Sequence, residues 1–200
     1  MNSHVVRFPL DANPLTPEQV DIQVQDGEKP VVSPDGRWLA FIRESKGRGT
    51  IWLKEVQPDT KDMTQGSQER LVSDSELDVL EATFDPEDEI IFSARRSGQP
   101  SALFVTKPGS SYASQESAPA PRRFPAASPD GRWLAFSQRE FGHWGLWVQD
   151  RQTHAARRLT DSDCNFTAPA WYPDSKRLVY ATDCARGYGL TALSRITAVP

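Results

Sequence analysis

Ser33-Pro34-Asp35-Gly36-Arg37-Trp38-Leu39-Ala40-Phe41 recurs letter for letter as Ser128-Pro129-Asp130-Gly131-Arg132-Trp133-Leu134-Ala135-Phe136. An identity of that length inside one chain of 200 residues marks a repeated structural unit. Proline fixes its own φ, aspartate bonds to nearby backbone N–H groups, and glycine accepts positive φ. Ser-Pro-Asp-Gly therefore predicts a tight reversal between two strands. Beyond the turn, Trp38, Ala40 and Ile42 fall on one side of a strand, with Leu39 and Phe41 on the other. A strand apolar on both faces has to be covered on both.

Two weaker copies fit the same frame: Ala82-Thr83-Phe84-Asp85-Pro86-Glu87-Asp88-Glu89-Ile90-Ile91-Phe92, and Pro169-Ala170-Trp171-Tyr172-Pro173-Asp174-Ser175-Lys176-Arg177-Leu178-Val179-Tyr180. Marked by the residue before the shared proline, the units start at Ser33, Asp85, Ser128 and Tyr172, spaced 52, 43 and 44 residues apart. That period matches a propeller blade of four short strands, roughly 40–45 residues. The polar stretch 58–68 lengthens the first interval. A third strand follows a Gly-containing loop in each unit, at Thr50–Leu53, Ala102–Val105, Gly145–Val148 and Gly189–Leu193. A short, polar outer strand is expected at Glu69–Val72 and Arg157–Thr160, as suits an outer rim. The second unit lacks the turn glycine and is one residue shorter. Its Pro/Ser-rich tail, Lys107 to Pro121, leaves that unit's outer strand without a match.

The expected fold is all-β, a partial or small β-propeller of about four four-stranded blades. Residues 1–24 supply strands of a preceding or closing blade, with blades at 25–72, 73–123 (carrying the Pro/Ser-rich insertion), 124–160 and 161–200. Val5-Val6-Arg7-Phe8-Pro9-Leu10 and Pro14-Leu15-Thr16 look like the last two strands of a blade. Either the N-terminal residues complete the last blade and close the ring, or the propeller is open or part of a larger ring.

The unit resembles the TolB-type, WD-like propeller repeat family: an apolar strand, Ser-Pro-Asp-Gly, then an aromatic-aliphatic strand ending in Ala-Phe. The resemblance spans about Gln25 to Leu193. It implies a non-catalytic scaffold that presents loops around a central channel to a protein or peptide partner. Similar blades also occur in prolyl oligopeptidase-type peptidases, in receptor kinases and in transcription regulators. The competing expectation is therefore a propeller fragment of a larger enzyme or sensor, or a propeller that binds a carbohydrate or small ligand.

Composition fits one all-β core: 38% hydrophobic residues, with 16 prolines and 12 glycines to mark frequent turns. A net charge of -4 with both signs interspersed offers no basic field for a phosphate backbone, so no nucleic-acid partner is expected. The arginine pairs at 95/96, 122/123 and 157/158 are expected to be solvated strand ends. No apolar run reaches the roughly 18 residues of a membrane span, and Met1-Asn2-Ser3-His4 opens with neither a basic nor an apolar leader segment.

Cys164 is expected in the loop entering the fourth blade and Cys184 in the hairpin between that blade's second and third strands. Both loop types emerge on one face of a propeller, which brings the sulfurs within reach of a disulfide. Such a bond indicates an oxidising compartment. The periplasm or another extracytoplasmic site is then favoured if an N-terminal segment precedes this stretch; otherwise the compartment is open.

Phe141, His143, Trp144 and Tyr188 form the candidate ligand or partner surface, on the hairpins of the third and fourth blades. Asp161-Ser162-Asp163-Cys164-Asn165 starts like a calcium loop, but Phe166 stands where glycine is needed and no glutamate follows at the right distance. No metal and no cofactor are therefore expected. The tryptophans at 38, 52, 133, 147 and 171 recur at matching strand positions and are expected in the core. The chain holds no Gly-x-Ser-x-Gly elbow, phosphate-binding glycine loop with lysine, or dinucleotide fingerprint. No catalytic residue is assigned, and the chain is expected not to be an enzyme.

Overall fold

The computed structural model describes residues 2–7, 18–56, 68–74, 76–110, 112–116, 120–161, 163–185 and 187–194, with the backbone alone at 2–7, 18–25, 185, 188 and 192–194. Its described residues form strands and turns without helices. The first blade comprises β3 (Gly27–Val32), β4 (Trp38–Ser45), β5 (Arg48–Glu55) and β6 (Arg70–Leu71). The second comprises β7 (Asp78–Phe84), β8 (Ile90–Arg95), β9 (Ala102–Thr106) and β10 (Ser114–Gln115). The third comprises β11 (Arg122–Ala127), β12 (Trp133–Glu140), β13 (His143–Asp150) and β14 (Ala156–Arg158). The fourth comprises β15 (Phe166–Trp171), β16 (Arg177–Ala185) and β17 (Gly187–Ser194). Each blade is an antiparallel meander in sequence order. The four are arranged as a β-propeller, in which each sheet packs on the next along the chain.

A separate antiparallel pair, β1 (Asn2–Arg7) with β2 (Glu18–Gln25), lies beside β3. Among the described residues, β1 pairs with β2 and not with the fourth blade, so it does not supply that blade with a strand. The expected strand at Pro14–Thr16 falls outside the described residues. The second blade's outer strand, unmatched in the sequence, exists as the two residues of β10, paired with Val105 and Phe104. A pairing this short carries almost no pattern to detect.

Alternation along the second strand of each blade explains the stacking. Ala40 and Ile42 of β4 enter a core shared with Ile90, Phe92 and Ala94 of β8. Leu39 and Phe41, on the opposite face, are equally buried. Leu134 and Phe136 of β12 pack with Ile91 and Leu103 of the second blade, while Trp133 and Ala135 pack with Leu178 and Tyr180 of the fourth. The second and third sheets are thus covered on both faces by their neighbours, and exchanging the two sets of side chains would require a one-residue slip of the strand. Trp133 is buried, and Trp38, Trp147 and Trp171 pack half-buried against these clusters. Trp52 instead lies half-buried beneath the Arg43 guanidinium, 4.5 Å from the ring centroid.

The repeated turn closes on its own side chains. Ser33 N–H donates to Trp38 C=O (2.8 Å) and Gly36 N–H to Ser33 C=O (2.9 Å). Asp35 Oδ1 accepts from Ser33 Oγ and from Arg37 N–H, and Ser33 Oγ accepts from Trp38 N–H. The same set recurs at Ser128, Asp130, Arg132 and Trp133. In the second blade, Asp85 N–H reaches Glu89 C=O, one residue sooner than in the other three, as the shorter sequence predicts. Asp88 and Ser175 take positive φ (60° and 55°) where the other turns have Gly36 and Gly131.

The innermost strand of each blade carries a bulge, between Glu28 and Val31, Val79 and Glu81, Arg123 and Ala126, and Thr167 and Ala170. In three of them a left-handed residue immediately precedes a proline: Lys29 (φ 51°) before Pro30, Phe124 (φ 54°) before Pro125, and Ala168 (φ 50°) before Pro169.

Candidate functional site

Strand direction sorts the loops into two faces. The Ser-Pro-Asp-Gly turns and the links between third and fourth strands lie at one end of the sheets, the turn face. The hairpins between second and third strands and the links between blades lie at the other, the hairpin face. Every candidate residue from the sequence sits on the hairpin face.

Phe141 and Gly142 form a two-residue loop between the paired Glu140 and His143. Both residues take positive φ (50° and 91°), a geometry that favours Asn or Gly at the first position. Phe141 is 96% exposed at its tip. His143 and Trp144 are half-buried behind it. Tyr188 lies in β17, where only the backbone is described.

Trp144 N–H donates to Asn165 Oδ1 (3.0 Å), which ties the third blade's hairpin to the loop entering the fourth. Asn165 in turn donates from its backbone N–H (2.7 Å) and its side-chain Nδ2 (2.8 Å) to the two oxygens of Asp183. These side-chain and backbone donors, with the charge of nearby His143 adding less, hold the Asp183 carboxyl below its ordinary value. The Cys164–Cys184 disulfide flanks this pair, with Cα atoms 5.2 Å apart. Sequence reasoning located the cysteines and met Asn165 only in an incomplete calcium-loop pattern; it missed the pairing of Asn165 with Asp183, whose one signal is that each adjoins a cysteine.

A second feature of this face has no motif. A cleft of about 420 Å³ opens between the first two blades, lined by Lys46, Arg48, Arg95, Arg96, Glu76 and Asp78 among others. Asp78 is mostly buried, and it accepts from Gly49 N–H with Oδ1 (2.8 Å) and from Arg95 Nε with Oδ2 (2.7 Å). A Cβ on Gly49 would stand 2.2 Å from Val79 C=O, so the first blade's hairpin is seated tightly against β7.

On the turn face, Arg151 binds Asp85, whose carboxylate is fully buried (2.7 Å), and Glu89 (3.1 Å). Lys107 pairs with Glu89 at 3.0 Å. Nearer the axis, Glu81 holds the Arg123 guanidinium and accepts from Ser93 Oγ. Arg122 donates to Gln138 (2.7 Å) and lies 4.6 Å from the Phe136 ring centroid. The pair 122/123 is therefore half-buried and bonded, not a solvated strand end, and Arg157 and Arg158 are half-buried too. The guanidinium groups of Arg122 and Arg123 lie over the Phe136 and Phe124 rings, 4.6 and 4.8 Å from their centroids.

Among the described residues, no group of three or more His, Cys, Asp or Glu is placed to hold a metal ion, and no helix is long and apolar enough to cross a membrane. No family model and no curated protein matches the chain. Solved structures do resemble it. A putative TolB from Agrobacterium tumefaciens superposes with a TM-score of 0.74 at 19% identity, over 94% of this chain and 69% of that one. TolB from Acinetobacter baumannii gives 0.71 at 20% identity, over 96% of this chain and 49% of that one. A puromycin hydrolase gives 0.66 at 18% identity, over 82% of this chain and 26% of that one. At such identities the likeness is one of fold: this chain is a TolB-like β-propeller in architecture, and that architecture is shared with enzymes.

Proposed function

We propose that this chain is a non-catalytic propeller scaffold whose hairpin face binds a protein or peptide partner, with Phe141 as an anchor. The observation that carries this reading is Phe141 itself. A bulky side chain at positive φ is disfavoured by backbone sterics, and a phenyl ring 96% exposed gains nothing from burial. Folding has two reasons to select against phenylalanine there, and partner binding supplies a reason to keep it. The adjoining loop is held by the disulfide and by the Trp144–Asn165–Asp183 bonds, so the surface around Phe141 is preorganised, which lowers the entropic cost of association.

Panning a displayed random-peptide library on the protein tests this. The expected result is an enriched peptide family whose affinity falls about thirtyfold in Phe141→Asn, the loss of an aromatic hot spot. Equal affinity in the variant overturns the reading. The competing reading, a propeller segment of a larger enzyme, draws support from the likeness to a puromycin hydrolase. It predicts that no peptide family depends on Phe141.

A further inference from the structure

We propose that the cleft between the first two blades binds an extended acidic peptide segment, its carboxylates held by cations on opposite walls. Lys46 and Arg48 come from the first blade's hairpin, and Arg95 and Arg96 from the second blade. Against them stand Glu76 and Asp78, so the cleft holds two positive charges in excess within a chain whose net charge is -4. That local reversal of sign is the first observation.

The second is how the charges are held. Asp78 commits both oxygens, one to the Gly49 N–H and one to Arg95 Nε, so it acts as a brace that fixes the guanidinium and leaves the two terminal nitrogens of Arg95 without a partner among the described residues. Arg96 is steadied over the Phe104 ring, 5.6 Å from its centroid. Lys46 stands at the first position of a two-residue hairpin (φ 55°), exposed and without a partner among the described residues.

The distribution of charge selects the ligand. A single phosphate is best held by donors that converge on one point. Here the cations are divided between two walls, which matches charges spaced along an extended chain. This inference rests on the hairpin face being a peptide-binding surface, and it adds that the segment lying across the first two blades is acidic.

The test is fluorescence anisotropy with a labelled tetraglutamate peptide, a tetralysine peptide as control and citrate as competitor. Tetraglutamate is expected to bind, tetralysine not, and binding should weaken steeply between about 50 and about 500 mM salt. Lys46→Glu and Arg96→Gln should each weaken it by about threefold or more, with unchanged melting temperature for Lys46→Glu, whose side chain is exposed. Phe141→Asn should leave tetraglutamate binding intact, which separates this site from the aromatic anchor. Tetraglutamate affinity equal to wild type in both cleft variants, or no salt-sensitive binding at all, overturns the proposal. Citrate binding without tetraglutamate binding overturns the peptide source and leaves a small-anion site.

Discussion

The two faces of this propeller were built from the same repeat and have become opposites. On the turn face the two Ser-Pro-Asp-Gly reversals close on their own side chains, and Arg151 joins the second and third blades through a fully buried carboxylate. On the hairpin face equivalent loops share a backbone and little else. Lys46-Gly47 and Phe141-Gly142 are both two-residue loops with positive φ at both positions, yet one presents a cation and the other an exposed phenyl ring. The corresponding loop of the second blade, between the paired Ala94 and Ala102, is longer. Where the repeat is kept, the residues hold the fold together. At the tips of two hairpins it diverges to an exposed cation and an exposed phenyl ring.

Three further measurements would break or sharpen this contrast. The largest effect is expected on the turn face. Arg151→Met leaves the Asp85 carboxylate buried without its cation, and should lower unfolding free energy by about 4 kcal/mol in urea titration. A change within about 0.5 kcal/mol would show that the turn face is no more structural than an ordinary surface.

On the hairpin face, Cys164→Ser opens a covalent loop of sequence separation 20. The expected loss is about 3 kcal/mol under oxidising conditions and none in excess reductant. Equal stability of variant and wild type in both conditions would remove the disulfide from the account of how the Phe141 surface is held.

The smallest effect belongs to Asp88. Burial, and then the neighbouring Asp35 charge, push its carboxyl above the ordinary 3.8, while Oδ1 is buried without a partner. A raised folded value means that ionised Asp88 costs stability at neutral pH and nothing once the group is protonated in both folded and unfolded chains. Asp88→Asn also suits the positive φ. It should raise stability by roughly 0.5 kcal/mol at neutral pH, with the gain fading as pH falls through the ordinary carboxyl range. A gain independent of pH would assign the effect to backbone preference alone.

The fold was legible because its signals are local. A turn made by Ser33, Asp35 and Gly36 is decided within five residues, and the missing residue in the second copy appears in the structure as the shorter Asp85–Glu89 closure. The disulfide was legible because the blade frame assigns Cys164 and Cys184 to one face. The cleft was not, since Lys46 and Arg96 lie in different units and each looks like an ordinary surface charge until the blades are stacked. Arg151 and Asp85 are 66 residues apart, and nothing near either predicts the other. The left-handed residues ahead of Pro30, Pro125 and Pro169 also escaped notice, because a proline in a strand pattern more readily suggests an end than a bulge.

Those prolines bear on a hazard common to all sheets. A regular inner strand would offer its unpaired amides as a template on which any passing extended chain could dock and propagate a fibril. Pro30, Pro125 and Pro169 have no amide hydrogen to offer, and the bulge beside each spoils the straightness that such growth requires. The outer border is protected differently, by strands only two or three residues long in the first three blades. Both devices work against edge-to-edge growth of the sheets, one at the inner border and the other at the outer.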